Sequence, residues 1–457
     1  MATTPTELPS TTSTFPSRQK PLPYSLENGK RTQLSSILPP LVFGTATFNH
    51  QYNDDPFALD TTGLVTSALT HGIRAFDTSP YYGPSEQLLG DALSTPFVRE
   101  TFPRNSYMIL TKVGRIASSE FDYTKEWVRH SISRSLERLR TDYLDLVYCH
   151  DVEFVSPAEV LEAVRELRRI RDEEGTIRYV GISGYPIDVL GDMAELILHE
   201  TGEPLDAVQS YANFTLQNQT LAGPSGIERL RNAGVDVVPN ASILGMGLLR
   251  RAGVPIGGLG DFHPAPSDLR AAIRRASDFC DDYGERIEVI AIRFALESWL
   301  SAGTLVGSRG DPASGVPWKH ESINDVGGSK LGVSVIGVSR ASELEKTMLV
   351  WRSILDGLEG GEDTAVKAGR WYRAWEWSQN RRKAIQILAD GVREELGVWF
   401  DFAWKSPDDG YVNTRKKFGV QVVDDAAASW LTPAASPAAV PAKDNLDLAG
   451  EKILPLR

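Results

Sequence analysis

The sequence predicts an α/β protein built as a (β/α)8 barrel (a TIM barrel), with a long loop before strand eight and a helical C-terminal extension. Three observations carry this. Eight short aliphatic runs alternate with long amphipathic stretches between residues 41 and 336. Each run is nearly continuous in apolar character, as a parallel strand covered on both faces requires. Three consecutive runs also end on residues that can carry chemistry, at the strand ends where such a barrel keeps its site.

The candidate strands are 41–43, 73–76, 108–111, 144–149, 179–182, 207–209, 235–238 and 333–336. Between them, Thr124 is positioned to cap a helix whose apolar positions Val128, Ile132, Leu136 and Leu139 recur at helical spacing. Arg129, Arg134, Glu137 and Arg138 form its wet face. The stretch 157–171 repeats the pattern through Val160, Leu161, Val164 and Leu167, and Gly175 separates it from strand five. A helical stretch over 267–300, in one or two pieces, is followed by a Gly-, Ser- and Pro-rich connection, 301–330, that includes Trp318, Lys319 and His320. A connection of that length reads as a functional lid or as disorder. A helix is expected over 342–355. Beyond it Trp371, Trp375, Trp377 and Trp399 are too many aromatics for a free tail, so 364–396 is expected to be helical and docked on the barrel. The predicted organisation is a flexible arm (1–38), the barrel (39–357, with 301–330 inserted), a partly helical extension (358–425) and a disordered Ala-, Pro- and Asp-rich tail (426–457).

The balance of 48 basic against 60 acidic residues, net −12, argues against nucleic acid or an anionic membrane as the main partner. The sequence contains no apolar run of 18 residues, and no membrane span is expected. The Ser-, Thr- and Pro-rich N-terminus lacks the apolar centre of a secretory signal and contains Glu7, so a cytoplasmic location is expected. Two cysteines, Cys149 and Cys280, can build neither a disulfide framework nor a four-thiolate metal site. Cys149 lies in an apolar run and reads as a core thiol.

The chemistry-bearing residues begin at Phe76-Asp77-Thr78-Ser79-Pro80-Tyr81-Tyr82-Gly83, where an acid and a tyrosine sit five residues apart on a turn after strand two. Strand three ends at Lys112 and strand four at His150. Each residue has a plain reading alone. Asp77 can cap a turn, Tyr82 can be a surface ring, Lys112 a solvated strand end, and His150 with Asp151 a loop pair. A lone His-Asp lacks the further ligands of a zinc site, so no metal is expected. At three successive strand ends, however, they read as one assembly. A tyrosine is a poor base at neutral pH, a nearby ammonium lowers its pKa, and a carboxylate holds that ammonium in place. A neutral histidine can orient a carbonyl or hydroxyl, completing a proton-transfer site suited to hydride chemistry.

These residues, with Ser85-Glu86, Leu89-Gly90, Leu110-Thr111-Lys112 and Asp142-Tyr143-Leu144-Asp145-Leu146, resemble the signature of the aldo-keto reductases. The resemblance runs from about residue 41 to residue 355. It implies a nicotinamide cofactor bound without a Rossmann domain and a catalytic tetrad of Asp77, Tyr82, Lys112 and His150, with Tyr82 as general acid/base. It also implies a cofactor site made of Gly44 and Thr45, of Ser183 and Gln209 at the nicotinamide amide, of Ser242, Leu244, Gly245 and Gly247 along the pyrophosphate, and of Gly337, Ser339, Arg340, Glu343 and Thr347 at the adenosine end. A loop that exposes backbone N–H groups suits the phosphates.

Three departures from the family pattern point further. Gly184 stands where an asparagine is common, Ala241 where a stacking tyrosine is common, and Ser339 where a 2′-phosphate-binding arginine is common. Glu343 would repel a 2′-phosphate, which favours NAD, while the neighbouring Arg340 keeps NADP possible. With Phe262-His263-Pro264-Ala265 as a substrate loop, these features resemble the sugar dehydrogenase branch of the family. The expected activity is hydride transfer from C1 of an aldose of D-arabinose, L-galactose or L-fucose type to NAD, giving a lactone, with Tyr82, His150 and His263 on the sugar. The alternatives are an NADPH-dependent reductase of small aldehydes or ketones and a cofactor-sensing binding subunit. A glycosidase barrel finds no convincing carboxylate pair.

Overall fold

A computed structural model describes residues 31–254, 262–310, 330–358 and 370–415. The expectations for the first 30 residues, for 311–329 with Trp318, Lys319 and His320, for 359–369 and for the tail from 416 lie outside the described residues. Eight parallel strands close a barrel, each beside its neighbours in sequence and the last beside the first. They are β1 (Leu41–Gly44), β2 (Ala75–Asp77), β3 (Met108–Val113), β4 (Leu144–His150), β5 (Ile177–Gly184), β6 (Ala207–Tyr211), β7 (Asn240–Ala241) and β8 (Ser334–Gly337).

Seven strands fall where the aliphatic runs place them. The eighth, β7, lies later than the predicted 235–238. Val237 makes only a single bridge to Ala207, and the ladder resumes at Asn240. Pro239 between them has no N–H to donate, so the pairing is interrupted there.

Alternation along the strands sorts the side chains. Val42, Ala75, Leu110, Leu146, Tyr148, Tyr179, Ala207 and Val335 fill the barrel interior with Leu34 and Leu38, which plug its N-terminal end. Phe43, Phe76, Ile109, Val147 and Val180 face outward beneath the helices. The same interior parity, carried on toward the C-terminal ends of the strands, reaches Gly44, Asp77, Lys112, His150, Ser183, Gln209, Ala241 and Gly337. These eight inward positions lie on one rim. Parallel register levels that rim, with Gly44 opposite Asp77, His150 opposite Ser183 and Ser183 opposite Gln209.

The stretch before strand eight is two helices, Ser267–Asp282 and Ile287–Ala302, parted at Gly284, whose φ of 73° ends the first in the left-handed region. The second, with its continuation to Val306, is long and apolar enough by composition to cross a membrane, which the sequence reading did not expect. Here it is a core helix, with 67% of the apolar window buried in protein. Of the connection after it, only the two stems are among the described residues. Its stems Ser308 and Leu331 pair with one another, and Ser308 and Arg309 bond Ser35 beneath the barrel, at the end remote from the rim.

The described residues of the C-terminal extension pack against the barrel. The helix Arg370–Leu396 lays Ile385, Leu388, Ala389, Val392 and Leu396 on the apolar face of Ser267–Asp282. Arg293, fully buried, pairs with Glu297 and donates to Ser353 (2.6 Å) and Ser378 (3.0 Å), which ties three helices together. Past that helix the chain runs on to residue 415 and returns to the rim.

Candidate active site

The rim opens into a cleft of about 780 Å³, and all eight rim residues line it. Lys112 Nζ donates to Asp77 Oδ1 (2.6 Å) and to the Thr78 carbonyl (3.0 Å). Gln209 Nε2 donates to the other Asp77 oxygen at 3.1 Å, so both carboxylate oxygens are occupied. The pair is nearly closed to solvent, with 2% and 5% of the two side chains exposed.

Tyr82 is delivered by a turn. The Tyr82 N–H bonds the Ser79 carbonyl, and the helix Ser85–Leu93 begins directly afterwards. That helix is locked to β3 through Glu86, which accepts the Thr111 hydroxyl at 2.7 Å. It is also held close to the helix Lys125–Arg138 by Gly90, where a Cβ would lie 2.0 Å from the Arg138 carbonyl. The ring of Tyr82 thus stands 5.0 Å from Lys112 Nζ and edge-on to His150, with 5.7 Å between ring centroids.

Two electrostatic facts set the proton positions. Burial pushes His150 down to about 3, so its imidazole is neutral at physiological pH. Ser79 Oγ lies 3.0 Å from His150 Nδ1 and already accepts the Tyr81 N–H. Its own proton is then free for Nδ1, and this network assigns the ring N–H to Nε2. Tyr82 departs from the sequence expectation. Part of its surface meets the open cleft, yet the ring lies deep in protein. Burial, then Asp77 and Asp151, hold the phenol well above its ordinary value. The ammonium of Lys112, paired with Asp77, does not bring it back down.

Most of the cofactor positions named from sequence are found in the cleft lining: Gly44, Ser183, Gln209, Ser242, Leu244, Gly247, Gly337, Ser339, Arg340, Glu343 and Thr347. The 242–247 loop is built on left-handed backbone at Ser242, Gly245, Met246 and Gly247. The amides of Gly245, Gly247 and Leu248 turn back into it, while those of Ile243, Leu244 and Met246 have no acceptor among the described residues. At the other end the 18-residue helix Ala341–Leu358 begins beside the cleft. Free amides and a helix start suit an elongated anion such as a dinucleotide. Glu343 stands in that first turn, accepting the Ser339 N–H at 2.8 Å.

Three positions are placed differently. Thr45 is buried behind the wall, where its N–H and hydroxyl both hold the Asp77 carbonyl. Gly245 is buried, and its carbonyl accepts from His263 at 2.8 Å. His263 itself, expected on the sugar, accepts the Ala265 N–H through Nδ1 and is 4% exposed. With both ring nitrogens committed to backbone, it fastens the substrate loop instead of meeting a ligand, while its neighbours Phe262 and Pro264 line the cleft.

Sequence reasoning missed other parts of the wall. Arg115, three residues beyond Lys112, lies on the face of Tyr81 (3.9 Å) and pairs with Asp151. The segment 404–411 crosses the cleft mouth and lines it. Trp404 stacks on Tyr185 (4.5 Å, 3°), and Gln217 holds the carbonyls of Trp399 and Phe402. At the far end Asn413 pairs twice with the backbone of Phe121, and Arg415 bonds Asp122. The signal was the aromatic density of 399–404, too apolar for a free strand of chain.

Gly184, the departure at strand five, has a structural reason. A Cβ there would lie 2.6 Å from Glu153 Oε2, and that oxygen is shut from solvent without a partner. Glu153 Oε1 accepts the Tyr185 N–H and the Ser406 hydroxyl, both at 3.1 Å, which links the crossing segment to β5. Burial, then Asp151, raise Glu153 to about 8 from an ordinary 4.5. A carboxyl raised on folding stabilises while protonated. Its contribution is complete below the unfolded value and is lost as pH climbs through about 8. Glu153→Gln is therefore expected to shrink the fall in Tm between about pH 6 and about pH 9, measured by thermal melts. An unchanged fall would remove Glu153 from the linkage.

The sequence profile of the Aldo/keto reductase family matches residues 40–356. The chain is 46% identical over 270 residues to D-arabinose 1-dehydrogenase of Saccharomyces cerevisiae, covering 58% of this chain and 78% of that protein. It is 36% identical over 251 residues to L-galactose dehydrogenase of Arabidopsis thaliana (54% and 73% covered). It is 26% identical over 304 residues to D-threo-aldose 1-dehydrogenase of a Pseudomonas species (59% and 85% covered).

Proposed function

Since the chain belongs to the aldo/keto reductase family, we propose that it is an aldose 1-dehydrogenase, moving hydride from C1 of a D-arabinose-, L-galactose- or L-fucose-type sugar to NAD and forming the lactone. The observation that carries this reading is the assembly of Asp77, Lys112, Tyr82 and His150 on one rim, in a chain similar to dehydrogenases named for D-arabinose and L-galactose. The nicotinamide, when bound, supplies the hydride acceptor.

The chain's residues do the rest. Neutral His150 donates from Nε2 and orients the C1 oxygen. Tyr82, once deprotonated, takes the proton of the C1 hydroxyl as the C–H bond gives up its hydride and C1 becomes a carbonyl carbon. Lys112 stands beside the phenol, and Asp77, braced by Gln209, keeps the ammonium in place. The segment 404–411 closes one side and limits water.

Initial rates with NAD and NADP on D-arabinose, L-galactose, L-fucose and L-xylose test the reading. Oxidation of at least one of them with NAD preferred is expected. Turnover restricted to NADPH and small aldehydes would sink it, in favour of a reductase for which the protonated Tyr82 is already the acid and the exposed Arg340 a phosphate partner. Glu343→Gln removes the carboxylate from the adenosine end. It is expected to raise the NADP/NAD ratio of kcat/KM on the order of tenfold, read from the same rates.

A further inference from the structure

Next to the reacting rim lies a charged pair that the mechanism above does not use. Asp151 follows His150 with φ 57°, in the left-handed region that a non-glycine residue seldom occupies. This bend turns its carboxylate back toward the site, with Oδ2 3.6 Å from His150 Nε2. The same oxygen pairs with Arg115, and the guanidinium also donates to the Tyr81 hydroxyl at 3.2 Å. Arg115 lies flat on Tyr81 and edges Phe121 and Phe154, so its plane is fixed. Both Arg115 and Asp151 line the cleft. Asp151 Oδ1 accepts no hydrogen bond among the described residues.

We propose that the Arg115–Asp151 pair is the element that reads the hydroxyl on the carbon next to the reacting one, selecting α-hydroxylated substrates. This inference rests on the aldose reading and deepens it. The distances carry it. A C1 oxygen held by His150 Nε2 places the adjacent carbon within a few ångströms of Asp151. There a hydroxyl can donate to the open carboxylate oxygen and accept from the fixed guanidinium, the two directions a single O–H needs. A substrate without that hydroxyl leaves a desolvated carboxylate partly unpaired, a penalty larger than the bond itself is worth. Electrostatics agree. Burial works against the Asp151 carboxylate, but the ion pair with Arg115 outweighs it and holds its pKa below the usual range, so it stays an acceptor.

The first test uses the unmodified enzyme with NAD. The 2-deoxy analogue of D-arabinose is expected to fall on the order of 10²-fold below D-arabinose in kcat/KM. Asp151→Asn and Arg115→Met should then bring D-arabinose down to the level of the 2-deoxy analogue. Because Asp151 and Arg115 also act on the Tyr82 phenol, the readout is the ratio of the two sugars, which should fall to near one in each variant, with cofactor Kd by fluorescence unchanged. Equal rates for the two sugars on the unmodified enzyme would overturn the proposal whether or not the variants fold. Equal losses on both sugars in folded variants would also overturn it, marking the pair as a brace for His150. Failure of the aldose reading looks different, because no aldose would then be oxidised. Glycolaldehyde and acetaldehyde reduction would decide in that event. A preference for glycolaldehyde that Asp151→Asn abolishes supports the pair's role, and equal rates refute it.

Discussion

Tyr82→Phe is expected to lower kcat for sugar oxidation by about 10³-fold or more, while cofactor Kd stays within about threefold. The substitution removes one oxygen and leaves the ring, with its edge-on contact to His150 and its place beside Lys112. No protein group bonds that oxygen among the described residues, so folding stability should change little. The loss therefore reports proton transfer. The pH profile gives a second readout. Because burial, Asp77 and Asp151 hold the phenol protonated, oxidation should accelerate as pH rises into the alkaline range. The variant's residual rate should lack that slope. Full activity in the variant would take Tyr82 out of the proton path. Cofactor binding without turnover of any aldose or carbonyl by the unmodified chain would favour a cofactor-sensing role instead.

The second large effect is on stability and activity together. Lys112→Met leaves Asp77 buried with Gln209 as its remaining side-chain donor. Breaking a buried ion pair from one side costs about 3–5 kcal/mol. A loss of Tm on the order of 10 °C should follow, measured by calorimetry or circular dichroism. Activity should fall with it, because Tyr82 loses the only ammonium beside its ring among the described residues. Combining Lys112→Met with Asp77→Leu separates the two roles. Replacing both charges by apolar groups of similar size is often nearly neutral for folding. The double variant should therefore recover most of the lost Tm and none of the activity. A double variant as unstable as the single one would show that the pair is not what the stability depends on.

Much of this was legible along the chain. The eight aliphatic runs specified a parallel sheet covered on both faces, and strict alternation carried Asp77, Lys112 and His150 to the same rim. One run misled, because Val235–Val238 looks like a strand by composition and Pro239 breaks its ladder. Most of the residues that the family signature named for the cofactor do line the cleft. The signature misplaced His263 and Thr45, since a motif gives a position but not the direction in which a side chain spends its hydrogen bonds. Gly184 could be seen as a departure but not explained. Its reason, the Glu153 carboxyl, is 31 positions earlier in the sequence. The role of the extension was hidden for the same reason. Aromatic density showed that 399–404 must be covered, and nothing local showed that it would cross the cleft mouth to do so.

The sequence by itself determined the barrel, the family and the residues that meet at the strand ends. Hydrophobic period and strand-end chemistry are local properties, written in consecutive positions. Only the tertiary structure decided the state of those residues. It showed that Lys112 pairs with Asp77, that burial, Asp77 and Asp151 keep Tyr82 protonated, that His150 is neutral, and that Arg115, Asp151 and the 404–411 segment complete the wall. These depend on burial and on distances between groups far apart in the chain. Both arise only when the strands close into a ring.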